Sequence, residues 1–245
     1  MTGLDGMTAR SKVLGPSGTK VRLTILRQDL EEPFDVVVER AKIIVPSVEA
    51  KMLENNIAYV RLLTFGDDTS ADLRKALKEL LSQNPKGLVL DLRYNGGGYL
   101  DTAIDVSSEF IKDGIIMYEQ FGDGSRRTFE STGNGLATDI PLVVLINEGS
   151  ASASEILAGA IQDRGRGQLV GVTSFGKGSV QAYTELEDNQ GAVRVTIARW
   201  LTPNERTIHE QGLTPDFEVE ITEEDYKQKR DPQLDKAIEI LLGGE

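Results

Sequence analysis

The sequence predicts an α/β fold, and three observations carry that prediction. Two near-continuous apolar runs, GLVLDLR at 87–93 and PLVVLIN at 141–147, have the make-up of strands covered on both faces. Each empties through small residues, NGGG in one case and GSASAS in the other, into a stretch with helical spacing. Strand-like and helix-like patterns then keep alternating over most of the 245 residues, as expected when helices connect strands of one sheet.

In chain order, the zone from residue 1 to about 43 is short, glycine-punctuated and strand-like. Val21 to Leu26 alternates with period two, and so does FDVVVERAKI from Phe34. GPSG at 15–18 reads as a turn and QDLEEP at 28–33 as a hairpin-type connection. A lone hairpin of this kind is marginal in water and needs a partner. The α/β pattern begins with a strand over 57–63 and an amphipathic helix over 69–81, which has Leu73, Leu77 and Leu80 at helical spacing and stops at Asn84–Pro85. The strand at 87–93 leads to a helix over 100–111, ended by Gly114, and the polar, glycine-rich residues 122–138 read as a surface loop. After the strand at 141–147 and its helix come strands over 168–172, 179–186 and 192–202, and DPQLDKAIEILL at 231–242 reads as a short amphipathic helix. The expected domain layout is an N-terminal β segment at 1–43, a core at 44–217 and a tail at 218–245.

Charge and composition exclude several classes. With 27 Lys+Arg against 39 Asp+Glu the net charge is −12, the opposite of the basic footprint of a nucleic-acid binder, so no nucleic-acid partner is expected. There is no cysteine and one histidine, His209, which removes thiol chemistry and Cys/His zinc sites; no metal and no cofactor is expected. No apolar run is long enough for a membrane span, and MTGLDGMTARSK lacks the apolar stretch of a signal peptide.

A strand running into a helix start exposes unpaired backbone N–H groups at the positive end of a helix dipole, which suits a phosphate or a developing oxyanion. NGGG is not G-x-G-x-x-G, so a dinucleotide fingerprint is not supported, and a tight turn explains it equally well. The second junction carries Ser150, Ser152 and Ser154 among glycine and alanine. One of them is expected to cap the helix. Another can serve as a nucleophile whose neighbour, Ala153, turns its N–H toward an oxyanion. His209, in the polar stretch ERTIHEQG, reads as a surface side chain rather than as the base. A lysine can take that role in Ser–Lys arrangements where burial favours its neutral form. Lys177 is the candidate, held between two glycines in GVTSFGKGSVQ. GVTSFGKG nearly spells a P-loop, but Gly178 stands where a hydroxyl must hold Mg²⁺ and a strand follows. SFGK fits S-x-x-K, yet the glycines disfavour a helix there and neither SDN nor KTG is present.

Taken together, GSASASEI and FGKGSVQ, with Lys177 placed 25 residues after Ser152, resemble the tail-specific or C-terminal processing proteases, the S41 family of serine peptidases. The resemblance runs from about Ile57 to Asp216. DLRYNGGG resembles the family's DLR-x-N-P-G-G, with Gly96 where proline is usual, and LTPNERTIHEQGLTPD resembles its closing TP-x-G segment, with Glu205 in place of a glycine. The resemblance implies Ser152 as nucleophile, Lys177 as general base and Gln181 as the residue that orients the lysine. Four residues apart on a strand, Lys177 and Gln181 would share a face. It further implies an oxyanion hole made by the N–H of Ala153 and that of Gly97 or Gly98. The implied fold is a crotonase-type α/β core with a PDZ-like segment before it. The implied partners are polypeptides, cleaved in unfolded or C-terminal segments through an acyl-enzyme, with an extracytoplasmic location; a homo-oligomer remains open. GPSGTKVRLTILR resembles the last strands of a PDZ and LDGMT part of its middle, while the half with the carboxylate-binding loop is not represented. A grip on C-termini in the usual way is therefore not expected, and broad cleavage of unfolded chains is. Two other readings stay open: a non-catalytic peptide-binding scaffold of the same fold, and a crotonase-like acyl-CoA enzyme using NGGG and Ala153.

Overall fold

A computed structural model describes residues 5–27, 30, 32–42, 46–186 and 191–243. The chain divides into two units, Met1–Val45 and Pro46–Glu245. In the first, helix α1 (Gly6–Val13) is capped by Asp5, whose Oδ1 accepts the N–H groups of Met7 and Thr8, both at 3.0 Å. Strands β1 (Lys20–Ile25) and β2 (Phe34–Glu39) form an antiparallel pair, Lys20 opposite Glu39 and Ile25 opposite Phe34. The Arg40 guanidinium ties this hairpin to the helix by donating to the Val13 carbonyl at 2.8 Å. Of the connection expected at 28–33, residues 28, 29 and 31 lie outside the described residues, as do 43–45 at the expected boundary near 43.

The second unit is α/β with a mixed sheet at its centre. Its elements begin with β3 (Val48–Leu53), β4 (Ile57–Leu62), α2 (Thr69–Leu81), β5 (Gly87–Asp91), α3 (Leu100–Ser108), β6 (Ile115–Phe121) and β7 (Arg126–Glu130). They continue with β8 (Leu142–Ile146), α4 (Ala153–Asp163), β9 (Gln168–Gly171), β10 (Ser179–Glu185) and β11 (Ala192–Leu201). The last are β12 (Phe217–Glu218), α5 (Glu223–Gln228) and α6 (Pro232–Leu241). Six strands lie in the order β12-β9-β8-β5-β4-β3, parallel except for the edge pair β3–β4. Successive side chains of β5 and β8 point to opposite faces. Leu88, Leu90 and Val144 pack with Leu73 of α2, Val106 of α3 and Leu157 of α4. Val89, Val143 and Leu145 pack with Ala237 and Leu234 of α6. Both faces are covered, which is why the two strands read as unbroken apolar runs.

The other sheet is antiparallel, in the order β10-β11-β6-β7. β11 pairs with β6 only through Ala198–Leu201, so the rest of the β10–β11 hairpin runs on past the sheet, and residues 192–197 are exposed. The polar segment expected to be a loop contains β7. Only Phe129 of that strand is buried, so it shows no apolar alternation. Helix α3 ends at Ser108, short of the expected 111, although Phe110 and Ile111 stay buried and prolong the apolar pattern.

Candidate active site

Both strand-to-helix junctions meet at one place. After β5, the chain turns at Asn95, which is fully buried and fastens the glycine loop on three sides. Its Nδ2 donates to the Leu62 carbonyl at 2.9 Å, its Oδ1 accepts the Gly97 N–H at 2.9 Å, and its carbonyl accepts the Ser154 hydroxyl at 2.8 Å. Gly97 has φ +97°, and a Cβ built there would lie 2.8 Å from the nitrogen of Ala153 and 2.9 Å from Cβ of Ser152. Glycine at this position lets the loop pass directly against the start of α4. Gly98 lies still tighter, since a Cβ there would sit 2.2 Å from the Phe65 carbonyl oxygen.

The three serines of the second junction separate cleanly by what their hydroxyls do. Ser150 is fully buried; its Oγ donates to the Leu92 carbonyl at 2.8 Å and accepts the Asn147 N–H at 3.0 Å. Ser154 is fully buried and bonds Asn95. Ser152 is partly exposed, and among the described residues its hydroxyl donates to no group, although its oxygen faces the Glu155 N–H in a capping box. Its backbone, at φ 56° and ψ −115°, is outside the regions open to a non-glycine residue at low cost. The expectation that one serine caps the helix is met at the backbone: Ser152 is the N-cap, and its N–H is taken by Glu155 Oε2 at 2.8 Å.

Glu155 organises the rest. It is fully buried, and its carboxylate takes four donors: the N–H groups of Ser152 and Lys177 on Oε2 at 2.8 and 2.9 Å, and the Gly176 N–H and Ser174 hydroxyl on Oε1, both at 2.6 Å. A buried carboxylate is tolerable only when its lone pairs are filled in this way. The Lys177 segment is also held from behind. The indole of the buried Trp200 donates to the Lys177 carbonyl at 2.9 Å. Added Cβ atoms on Gly176 and Gly178 would lie 2.8 Å from the nitrogens of Gly212 and His209 respectively, so the two glycines let this segment lie flat on the 208–212 turn. The motif GSASASEI contains Glu155, but its composition gave no sign of that role; a carboxylate three residues into a helix reads as a capping residue.

Ser152, Ala153, Lys177, Gln181 and Gly98 all line one cleft of about 540 Å³, whose apolar floor includes Met117 and Trp200. Gly97 stands behind it, against Ser152. Lys177 lies in the loop ahead of β10 rather than on a strand, so its common side with Gln181 comes from the loop, not from strand alternation. The two glycines differ in hydrogen bonding. The Gly97 N–H is engaged by Asn95, whereas the N–H groups of Gly98 and Ala153 have no acceptor among the described residues. His209 is partly buried with its Nδ1 unpartnered and does not line the cleft.

Beneath the glycine loop lies an ionic knot. Arg93 donates to Asp91 at 2.7 Å and to Asp231 at 2.8 Å, and also to Gln233 of α6, while the Tyr59 hydroxyl donates to Asp91 at 2.7 Å. Burial alone would lower the Arg93 pKa, but its bonds to Asp231 and Asp91 raise it. Burial and the Asp91 charge push the Tyr59 phenol up. Burial pulls Asp231 up, yet the bonds from Arg93 and from the Leu234 N–H outweigh it and hold this carboxyl below the usual range. No group of three or more His, Asp or Glu among the described residues could hold a metal ion, and no described helix is long and apolar enough to cross a membrane.

The family model for peptidase family S41 matches residues 56–219, a span that holds the glycine loop, Ser152, Lys177 and Gln181. The chain belongs to peptidase family S41. It is 38% identical over 254 residues to the carboxyl-terminal-processing protease of Synechocystis sp., covering 99% of this chain and 59% of that protein. It is 42% identical over 240 residues to the carboxy-terminal-processing protease of Bartonella bacilliformis, covering 96% and 53%. In three dimensions it is similar to a photosystem II D1 C-terminal processing protease, with a TM-score of 0.69 and 32% identity over 88% of this chain and 60% of the other. This S41 chain thus spans little more than half the length of the curated relatives it matches.

Proposed function

We propose that this protein is a serine endopeptidase that cleaves unfolded or C-terminal segments of polypeptides with a Ser152–Lys177 dyad. One observation carries the reading: Ser152, alone of three neighbouring serines in donating its hydroxyl to no group among the described residues, opens onto the same cleft as Lys177. Lys177, in its neutral form, takes the proton of Ser152 Oγ as that oxygen attacks the scissile carbonyl. The free N–H groups of Ala153 and Gly98 receive the oxyanion, a pairing favoured over Gly97 because the Gly97 N–H is already bonded. Lys177 then returns the proton to the leaving amine, and a water molecule, activated by the same lysine, releases the acyl group from Ser152. Gln181 orients the lysine from across the cleft.

In the same reading, residues 44–217 are a crotonase-type protease core, 1–43 a PDZ-like segment and 218–245 a tail. The location is extracytoplasmic, by family resemblance.

Casein cleavage across pH 6 to 10 by the wild type, Ser152→Ala and Lys177→Ala tests the mechanism. Activity that rises with pH and disappears in both variants is expected where a neutral amine is the base. Cleavage that survives Ser152→Ala overturns the assignment. No cleavage and no labelling of the folded wild type by a serine-hydrolase probe would favour the scaffold reading instead.

A further inference from the structure

The cleft that holds Ser152 has a charge unlike the rest of the molecule. The protein carries 39 Asp+Glu against 27 Lys+Arg, yet among the described residues no carboxylate lines this cleft; the charged groups among them that line it are Lys177 and Arg194. Lys177 must shed its charge to act as the base, so Arg194 is the permanent cation among the described residues that line the cleft. Arg194 stands on β11, on the part of the hairpin that runs past the sheet. It pairs with Tyr183, two positions beyond the Gln181–Thr196 pair. Side chains alternate along a strand, so Arg194 lies on the same face as Thr196 and Gln181, about 7 Å farther along. Among the described residues it makes no salt bridge and no hydrogen bond, whereas Arg126, also exposed, is paired with Glu205 at 2.7 Å.

We propose that Arg194 is a specificity-determining residue that receives a carboxylate of the polypeptide substrate, two to three residues from the scissile bond. An aspartate or glutamate side chain and the substrate's own C-terminal carboxylate present the same chemistry, and the planar guanidinium fork matches either in a bidentate fashion. The inference rests on the proteolytic reading of Ser152 and Lys177. It adds that an acidic protein selects acidic segments through a local reversal of its charge.

The test is an aspartate scan. A neutral fluorogenic peptide receives a single Asp at each of the three positions on either side of the scissile bond, with Asn at the same position as reference. A further pair differs only in a free or amidated C-terminus. Wild type, Arg194→Ala, Arg194→Lys and Arg194→Glu are compared. At one position Asp is expected to lower KM about fivefold relative to Asn, with kcat unchanged, as befits one solvent-accessible charge pair. The preference disappears in Arg194→Ala, persists in Arg194→Lys and reverses in Arg194→Glu. A preference confined to the free-acid and amide pair identifies the C-terminal carboxylate as the group received. Equal KM values for every pair, or a preference unaltered in Arg194→Ala, overturn the proposal while leaving proteolysis intact. The same peptides are titrated by fluorescence anisotropy against Ser152→Ala. If the wild type cleaves none of them, the proteolytic reading fails, and an Arg194-dependent preference in binding still decides the role of the arginine.

Discussion

Ser152 and Lys177 hang their backbone N–H groups on a single atom, Oε2 of Glu155, at 2.8 and 2.9 Å. Their nitrogens can be no farther apart than the sum of those two lengths. The spacing of the two backbones that carry the proposed nucleophile and its base is therefore bounded by the carboxylate of a third residue.

Replacing that carboxylate should loosen both partners together. In Glu155→Gln one oxygen becomes an NH₂ facing N–H donors that have no other acceptor. We expect a loss of stability of about 2–3 kcal/mol in urea unfolding and a fall in peptide cleavage on the order of 100-fold. A variant with wild-type cleavage would show that the shared oxygen is dispensable for positioning.

The neighbouring serines should split stability from activity. Ser150→Ala leaves the buried Asn147 N–H without a partner and takes one of two donors from the Leu92 carbonyl, whereas Ser154→Ala takes one of two donors from the Asn95 carbonyl, which keeps the Ala151 N–H. Ser150→Ala should cost about 1–3 kcal/mol of stability and Ser154→Ala about 1 kcal/mol. Ser152→Ala should remove cleavage at almost unchanged stability, and Ser152→Gly should be about 1 kcal/mol more stable than Ser152→Ala, because only glycine accepts φ 56°, ψ −115° freely. Thermal unfolding and cleavage measured on all four variants check this; the Ser152 comparison fails if the glycine variant is the less stable.

Gly97→Ala introduces a methyl group 2.8 Å from both the Ala153 nitrogen and the Ala151 carbonyl oxygen, at φ +97°. The loop must retreat from α4, and a donor displaced by a fraction of an ångström is worth about 3 kcal/mol in the transition state. The expected result is a loss in kcat of about 100-fold with KM little changed. An unaltered kcat would mean that the glycine loop does not border the oxyanion.

Acid should act through Asp231. Its carboxyl titrates lower in the folded protein than in the unfolded chain, so its contribution is complete above the unfolded pKa, roughly 4, and is lost as pH falls through the lower folded value. Asp231→Asn should be less stable than wild type at pH 7 by about 1–2 kcal/mol, a figure reduced because the side chain is about a third exposed. The gap should narrow below pH 4. Urea midpoints at pH 7, 5 and 3 decide it; a gap that is constant with pH would assign the loss to packing of α6 rather than to the charge.

How much of this was legible in the sequence depended on burial. β5, β8 and α2 stood out because each sets apolar residues at a regular period against a covered core, and α2 spans 69–81 as read. β3, β6 and β7 were missed: β3 and β7 are edge strands, one with no buried residue and the other with one, and β6 is an inner strand that follows directly on the helix expected to end at Gly114. Ser152 and Lys177 were legible as a motif. Glu155 and Asn95 were not, since nothing local distinguishes a carboxylate or amide that fills backbone donors from one that faces solvent. Nor could the sequence choose between Gly97 and Gly98, since which N–H an asparagine side chain reaches is settled only by the folded loop.

The candidate machinery is divided between two sheets. Ser152 and the glycine loop rise from the closed, doubly covered one, whereas Gln181 and Arg194 ride on a hairpin that outruns the other and is wet for most of its length. Substitutions in the first group disturb packed neighbours and fold stability at once. Substitutions along the hairpin meet mainly water. On the proteolytic reading, such an arrangement lets the packed surroundings of Ser152 be inherited unchanged while exposed hairpin positions such as Arg194 are rewritten a residue at a time.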